Sequence, residues 1–183
     1  GVQTCALPIY PHAIHVVVGH EADAVRAAFS QESLRFHEQA DQLGTGHAVM
    51  QAIPHCQPDS IVLVLYGDVP LIQTETLSNL CEAATQSPVM LSVLLENPEG
   101  YGRVVRDAQG EFQAVVEDKD ATQDQRHIKE VNTGILAAPA SLLTALLKQV
   151  TNTNQQREYY LPDILGVARA EGLPVPVHTT SDI

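Results

Sequence analysis

The chain is poor in basic residues, in cysteine and in long apolar runs. Lysine and arginine total 10 against 22 aspartate and glutamate, a net charge of −12 over 183 residues. A nucleic-acid surface needs a clustered basic face, so this balance speaks against one. It is also awkward for a polyphosphate ligand, unless a metal ion or further basic residues supply positive charge. No apolar run approaches the ~18 residues of a membrane-spanning helix, and none is expected to cross a membrane. Cys5, Cys56 and Cys81 are widely spaced and form no CxxC pair. They read as free thiols of a reducing compartment, not as a disulfide frame or a zinc site. The histidines show no metal-ligand spacing, no Ser/His/Asp arrangement can be read, and there is no repeat, low-complexity tract or linker. What remains is 44% hydrophobic, enough to bury one sizeable core in a soluble, cytoplasmic domain.

Gly1 to Ile9 (GVQTCALPI) has neither apolar periodicity nor a capping signal, and it lacks the charged start of a signal peptide. It reads as a non-native, adapter-like leader, with the native sequence starting near Tyr10 in the middle of a domain (residues 10–183).

From there β and α patterns alternate. Ala13 to Val18 is a β-branched run ended by Gly19, hence a buried strand. Glu21 to Ser30 puts Ala22, Val25 and Phe29 on one helical face, with Glu21 and Asp23 where the helix dipole favours acids. A short strand over Leu34 to Glu38, a helix from Thr45 to Ile53 and an apolar strand from Ser60 to Leu65 follow. Leu77, Leu80, Cys81 and Ala84 mark another helix, and Met90 to Leu95 another strand. The spacing then changes: Gly102 to Gly110 and Phe112 to Glu117 read as a hairpin. Ile128 to Ala137 is a returning strand, and Leu142, Leu143, Leu146, Leu147 and Val150 form a helix stripe. Pro162 opens a last helix that Gly172 ends, before a strand over Pro174 to His178. The class is α/β, with a mostly parallel sheet and an inserted antiparallel hairpin.

Chemistry is sought beyond the carboxyl ends of the strands, where open α/β sheets bind ligands. Asp68 lies there, behind Gly67, which lets a ligand approach the backbone. Magnesium takes only one or two protein carboxylates and shares its shell with water and phosphates, so one aspartate suffices for a metal–phosphate site. The alternative is an aspartate that caps the turn before Pro70. Gly44-Thr45-Gly46 can present backbone N–H groups to an anion or a base edge at a helix start, or simply punctuate the chain. The amides of Gln39 and Gln42 flank it and can pair with a uracil edge. His47 reads as a first-turn helix residue and not a ligand. Gly100-Tyr101-Gly102-Arg103 and Asn132-Thr133-Gly134 are ordinary turns when taken singly, and Glu117 with Lys119 could be a surface ion pair.

As a set, Q-A-D-Q-L-G-T-G-H-A from Gln39, L-Y-G-D-V-P-L from Leu65, G-Y-G-R from Gly100, E-D-K-D-A-T from Glu117, E-V-N-T-G-I from Glu130 and E-Y-Y-L-P-D from Glu158 resemble one family. It is the uridyltransferase domain of the bacterial bifunctional N-acetylglucosamine-1-phosphate uridyltransferase / glucosamine-1-phosphate acetyltransferases. The resemblance runs from about Tyr10 to Ile183 and implies a Rossmann-like nucleotidyltransferase fold, here N-terminally truncated. It implies that UTP and N-acetylglucosamine 1-phosphate give UDP-N-acetylglucosamine and pyrophosphate, for peptidoglycan and lipopolysaccharide precursors. By position, Gln39, Gly44 and Thr45 should hold the uridine, Tyr66 and Gly67 line the site, and Asp68 bind Mg2+. Gly102, Glu117 and Asn132 should contact the sugar. The family's phosphate loop L-A-A-G-x-G-T-R-M, the asparagine completing the metal site and the β-helix domain behind its homotrimer have no counterpart here. No complete catalytic set is therefore expected, and this chain should turn over little or nothing. A nucleotidyltransferase for another sugar phosphate and a non-catalytic nucleotide-binding fragment are the alternatives. A phosphatase using Asp68 is disfavoured, since no second carboxylate follows closely.

Overall fold

A computed structural model describes residues 11–69 and 71–181, so the expectations for Gly1 to Ile9 and for Tyr10 lie outside the described residues. Strands β1 (Ile14–Val18) and β2 (Leu34–Glu38) pair in parallel across helix α1 (Ala22–Ala28) as a two-stranded sheet. Helix α2 (Thr45–Ala52), a 3-10 turn, β3 (Ile61–Val64), α3 (Thr74–Ala83) and β4 (Val89–Leu94) follow. Next come the hairpin β5 (Arg103–Arg106) and β6 (Phe112–Val116), the one-turn helix α4 (Gln123–Arg126) and the long strand β7 (Glu130–Pro139). Helices α5 (Ala140–Leu147) and α6 (Asp163–Ala170) and strand β8 (Val177–Thr180) end the order.

The larger sheet runs β6-β5-β7-β4-β8, with β3 also hydrogen-bonded to β7. β7 is antiparallel to β3, β4 and β5, whereas β4 and β8 are parallel. β3, β4, β5 and β8 therefore share one direction, and β6 and β7 oppose it. The α/β class and the β5–β6 hairpin are as the sequence suggests, but β7 at the centre makes this a mixed sheet. Strand direction is invisible in a run buried on both faces, because both faces demand apolar residues.

Alternation along β4 and β7 divides the core. Met90, Leu136 and Ala138 pack under α2, α5 and α6 with Leu143, Leu146, Ile164 and Leu165. Val89, Leu91, Ile135 and Ala137 face the other way, onto Leu80 of α3 and Ala84 just after it. Boundaries shift for identifiable reasons. Glu21 has a left-handed φ of 55° and stands outside α1. The last strand begins at Val177, beyond Pro174 and Pro176, which have no N–H for the β4–β8 ladder. Three histidines scattered in sequence gather beside β1 and β2. His15 Nδ1 lies 2.8 Å from His37 Nε2, and the His37 and His55 ring centroids are 4.5 Å apart. Burial first, and then the Arg35 charge, hold His15 below the usual imidazole range. Among the described residues no group of three or more His, Cys, Asp or Glu is disposed to hold a metal, and no helix is long and apolar enough to cross a membrane.

Candidate functional site

The site follows from how β7 shares one edge. Its C-terminal half pairs with β3, from Leu136 to Pro139, and its start pairs with β5 at Val131. Between them the ladder to β4 also breaks, the register jumping from Met90↔Leu136 to Ser92↔Asn132. Side chains take over the backbone's partners there. Asn132 Oδ1 accepts from the Gly134 N–H at 2.9 Å, and Thr133 Oγ1 accepts from the Ile135 N–H at 3.1 Å and donates to the Leu91 carbonyl at 2.8 Å. Such a bulge bends the strand and opens a crevice where β3 and β5 diverge. Gly134 sits in it at φ +81°, with the Tyr66 ring against it: a Cβ there would lie 2.3 Å from Tyr66 Cε2.

Tyr66 joins the two halves of the crevice. On one side its phenol is hydrogen-bonded to Thr45. Burial raises the phenol above its usual range; the Thr45 bond opposes this, while the Glu117 and Asp68 charges add to it. Asp68 follows in the turn closed by Val69 N–H on the Tyr66 carbonyl at 3.3 Å. Its exposed carboxylate bonds to no described residue, so no cap on this turn is seen, and Gly67 faces open space.

Beside Thr45, a cavity of about 380 Å3 is lined by Gly19, His20, Gln39, Gln42, Gly44, Thr45, Ala48 and Glu158. The Gly44-Thr45-Gly46 turn is pinned by a distant segment. Gly46 N–H donates to the Tyr159 carbonyl at 2.7 Å, Tyr159 N–H to the Leu43 carbonyl at 2.8 Å, and Leu161 N–H to Thr45 Oγ1 at 3.0 Å. A Cβ on Gly44 would meet Glu158 Cβ at 2.8 Å, and one on Gly46 the Tyr159 oxygen at 2.9 Å, so glycine is what lets the segments touch. The Thr45 hydroxyl is thus engaged by Leu161 and Tyr66, which leaves its backbone N–H, at the start of α2, for a ligand.

On the other side, buried Gly102 accepts from the Asn132 N–H at 2.8 Å, and a Cβ on Gly102 would lie 3.0 Å from Glu117 Oε1. Gly102, Glu117 and Asn132 therefore stand together. Arg103, 2% exposed, anchors them by donating to Asp118 Oδ1 at 2.9 Å and to the Tyr101 carbonyl. Burial raises the Glu117 carboxyl, with Asp163 and Asp120 adding and Arg103 opposing. Asp163, in the first turn of α6, is pushed up to about 6 by burial and then by Asp120. Lys119 donates to Gln156 Oε1, not to Glu117, so the suspected ion pair is absent. Of the nine positions singled out from the sequence, Gln39, Gly44 and Thr45 line the cavity, Gly102, Glu117 and Asn132 stand together, and Tyr66, with Gly67 and Asp68 after it, lies between the two groups. Glu158, Gly134 and Asp163 were given no role, although two of them lie in the E-Y-Y-L-P-D stretch that marks the resemblance.

Over 182 residues the chain is 49% identical to the bifunctional protein GlmU of Stutzerimonas stutzeri (strain A1501), covering 99% of this chain and 40% of that protein. It is 52% identical over 175 residues to bifunctional protein GlmU of Pseudomonas aeruginosa (strain LESB58), covering 95% and 38%. The chain thus spans about 40% of the length of these curated relatives. A crystal structure of UDP-glucose pyrophosphorylase complexed with UDP-glucose superposes with a TM-score of 0.70 over 93% of this chain and 74% of the other, at 13% identity, which speaks for the fold alone. The family model of the MobA-like NTP transferase domain matches residues 4–158. With that match across most of its length, the chain belongs to the MobA-like NTP transferase family.

Proposed function

We propose that the whole protein joins the uridylyl group of UTP to N-acetylglucosamine 1-phosphate, forming UDP-N-acetylglucosamine and pyrophosphate, with this stretch supplying the base pocket and part of the sugar site. The observation that carries the reading is Tyr66, whose hydroxyl touches Thr45 of the base pocket while its ring covers Gly134, two residues beyond Asn132 of the sugar side. The two ligand halves would meet across this one side chain. Relatives named bifunctional GlmU, about half identical, support the choice of sugar nucleotide.

A sugar-phosphate oxygen attacks the α-phosphorus of UTP in line. The new P–O bond forms as the bond to the β-phosphate oxygen breaks, and pyrophosphate carries away the electron pair. No side chain becomes covalently attached, so this chain contributes positioning. Gln39 and the turn opening α2 hold the base, while Gly102, Glu117 and Asn132 present carbonyl, carboxylate and amide groups to the sugar. Asp68 fits a magnesium site: one exposed carboxylate, without a partner among the described residues, at the carboxyl end of β3 and behind an unobstructed glycine. Magnesium bound there would neutralise charge developing on the phosphates. The test is calorimetric titration of UTP with magnesium, followed by competition among sugar phosphates. UTP binding that Asp68→Asn weakens, and that N-acetylglucosamine 1-phosphate alone among them modulates, supports the reading. Equal responses to glucose 1-phosphate would refute the sugar assignment.

A further inference from the structure

Gln39 leaves β2 with its amide aimed at the turn that opens α2. Its Nε2 donates to the Gly44 carbonyl at 3.0 Å and lies 3.0 Å from His47 Nδ1. The other ring nitrogen, His47 Nε2, lies 3.2 Å from Gln51 Nε2, and that same Gln51 nitrogen donates to the His47 carbonyl at 3.0 Å. Two amide nitrogens therefore approach both nitrogens of one imidazole. A neutral imidazole has a single acceptor nitrogen, the other bearing hydrogen, so only one of the two approaches is a hydrogen bond.

What else each amide must satisfy decides which. Turning the Gln39 amide over would set Oε1 against the Gly44 carbonyl oxygen, two acceptors at 3.0 Å. Gln51 lies a turn further along α2 and can swing from the ring while keeping the His47 carbonyl. His47 Nδ1 is thus the acceptor for Gln39, and Nε2 carries the hydrogen. Both N–H groups of the Gln39 amide then have protein acceptors, and Oε1 has none. Because Gln39 lines the cavity, its free polar atom is an acceptor.

We propose that His47 is a positioning residue that sets which base the cavity takes. Accepting the second N–H of Gln39 Nε2 beside the Gly44 carbonyl, it helps hold the amide oxygen toward the ligand, so the cavity pairs with a base bearing a ring N–H, such as uracil. A base with a lone pair at that place, such as cytosine, meets oxygen against nitrogen and is rejected. The inference rests on the cavity being the nucleobase site, and it moves base selection from Gln39 alone to a Gln39–His47 couple. Discrimination of this kind is worth roughly five- to a hundredfold.

Two measurements on the full chain test it. The 15N shifts of the His47 ring should show hydrogen on Nε2 and none on Nδ1; hydrogen on Nδ1 overturns the proposal. Binding of UTP and CTP, each with magnesium, is then compared for the parent, His47→Leu and His47→Gln. The parent should prefer UTP, His47→Leu should lose at least about fivefold of that preference, and His47→Gln, whose amide oxygen can accept from Gln39, should keep most of it. An unchanged UTP:CTP ratio in a folded His47→Leu overturns the proposal. If the parent binds neither nucleotide while its ring carries hydrogen on Nε2, the nucleobase reading of the cavity is what fails, and base selection fails with it.

Discussion

Gly134→Ala should be among the most damaging single-methyl additions in the molecule. At φ +81° an alanine incurs the left-handed penalty of an L-residue, roughly 1–2 kcal/mol. Its Cβ would also lie 2.3, 2.8 and 2.9 Å from three atoms of the Tyr66 ring, inside any tolerable contact. That ring cannot simply swing aside, because its hydroxyl is tied to Thr45. Displacing it adds an overpacking cost of about 1–3 kcal/mol, so the total comes to about 2–5 kcal/mol, a large part of a typical domain's stability. The assay is urea unfolding followed by circular dichroism and tyrosine fluorescence; the chain has five tyrosines and no tryptophan. A cycle with Tyr66→Ala separates the two costs. Truncating the ring relieves the clash but not the backbone strain, so the double variant should be less destabilised than the sum of the singles by about 1–3 kcal/mol. Strict additivity, or a Gly134→Ala protein within about 0.5 kcal/mol of the parent, would refute the geometry on which the crevice rests.

Gly46→Ala should cost about 1–3 kcal/mol, because its Cβ would press on the Tyr159 carbonyl oxygen at 2.9 Å; limited proteolysis should then cut first between residues 154 and 161. Asp118→Ala should destabilise by about 3 kcal/mol, since it leaves the Arg103 guanidinium, 2% exposed, without its carboxylate; an Arg103→Met/Asp118→Ala pair should recover part of that loss in the same unfolding assay. Asp163 should give a pH signature. Its native carboxyl titrates near 6 against 3.8 when unperturbed, so the folded state holds a proton that the unfolded chain has released, and the stability this provides is lost as pH rises through about 6. Asp163→Asn should therefore melt higher than the parent at neutral pH and show no such advantage at pH 3.8; equal curves at both would remove the buried-carboxyl account.

Much of the molecule is written locally. β2 runs over Leu34–Glu38 because Leu34 and Phe36 alternate with the polar Arg35 and His37, and α2 starts at Thr45 because Gly44 turns the chain there. The one-turn helix α4 carries a local signal as well: Thr122 and Gln125 form a reciprocal capping box, whose T-x-x-Q spacing is its signature. Other features are not local at all. The direction of β7 and its division between β3 and β5 are set by partners, and both arrangements bury the same apolar run. The nine site positions could be named from motifs, but not the use of their atoms. Nothing in Q-A-D-Q-L-G-T-G-H-A says that the Thr45 hydroxyl is held by Leu161, or that both Gln39 N–H groups face inward. Glu158 reaches the cavity only because Tyr159 lies along Leu43, a contact no periodicity announces.

The clasp between Leu161 and Thr45 joins residues 116 apart. On a ribosome adding about 5–20 residues per second, the glycine turn emerges and then waits roughly 6–23 seconds for its fastener. Until then α2 can form as a helix, but the turn before it lacks the contacts that fix its shape. Ordering of the turn therefore waits on the 154–161 segment, and a release of that segment in the mature protein would return the turn to its nascent state.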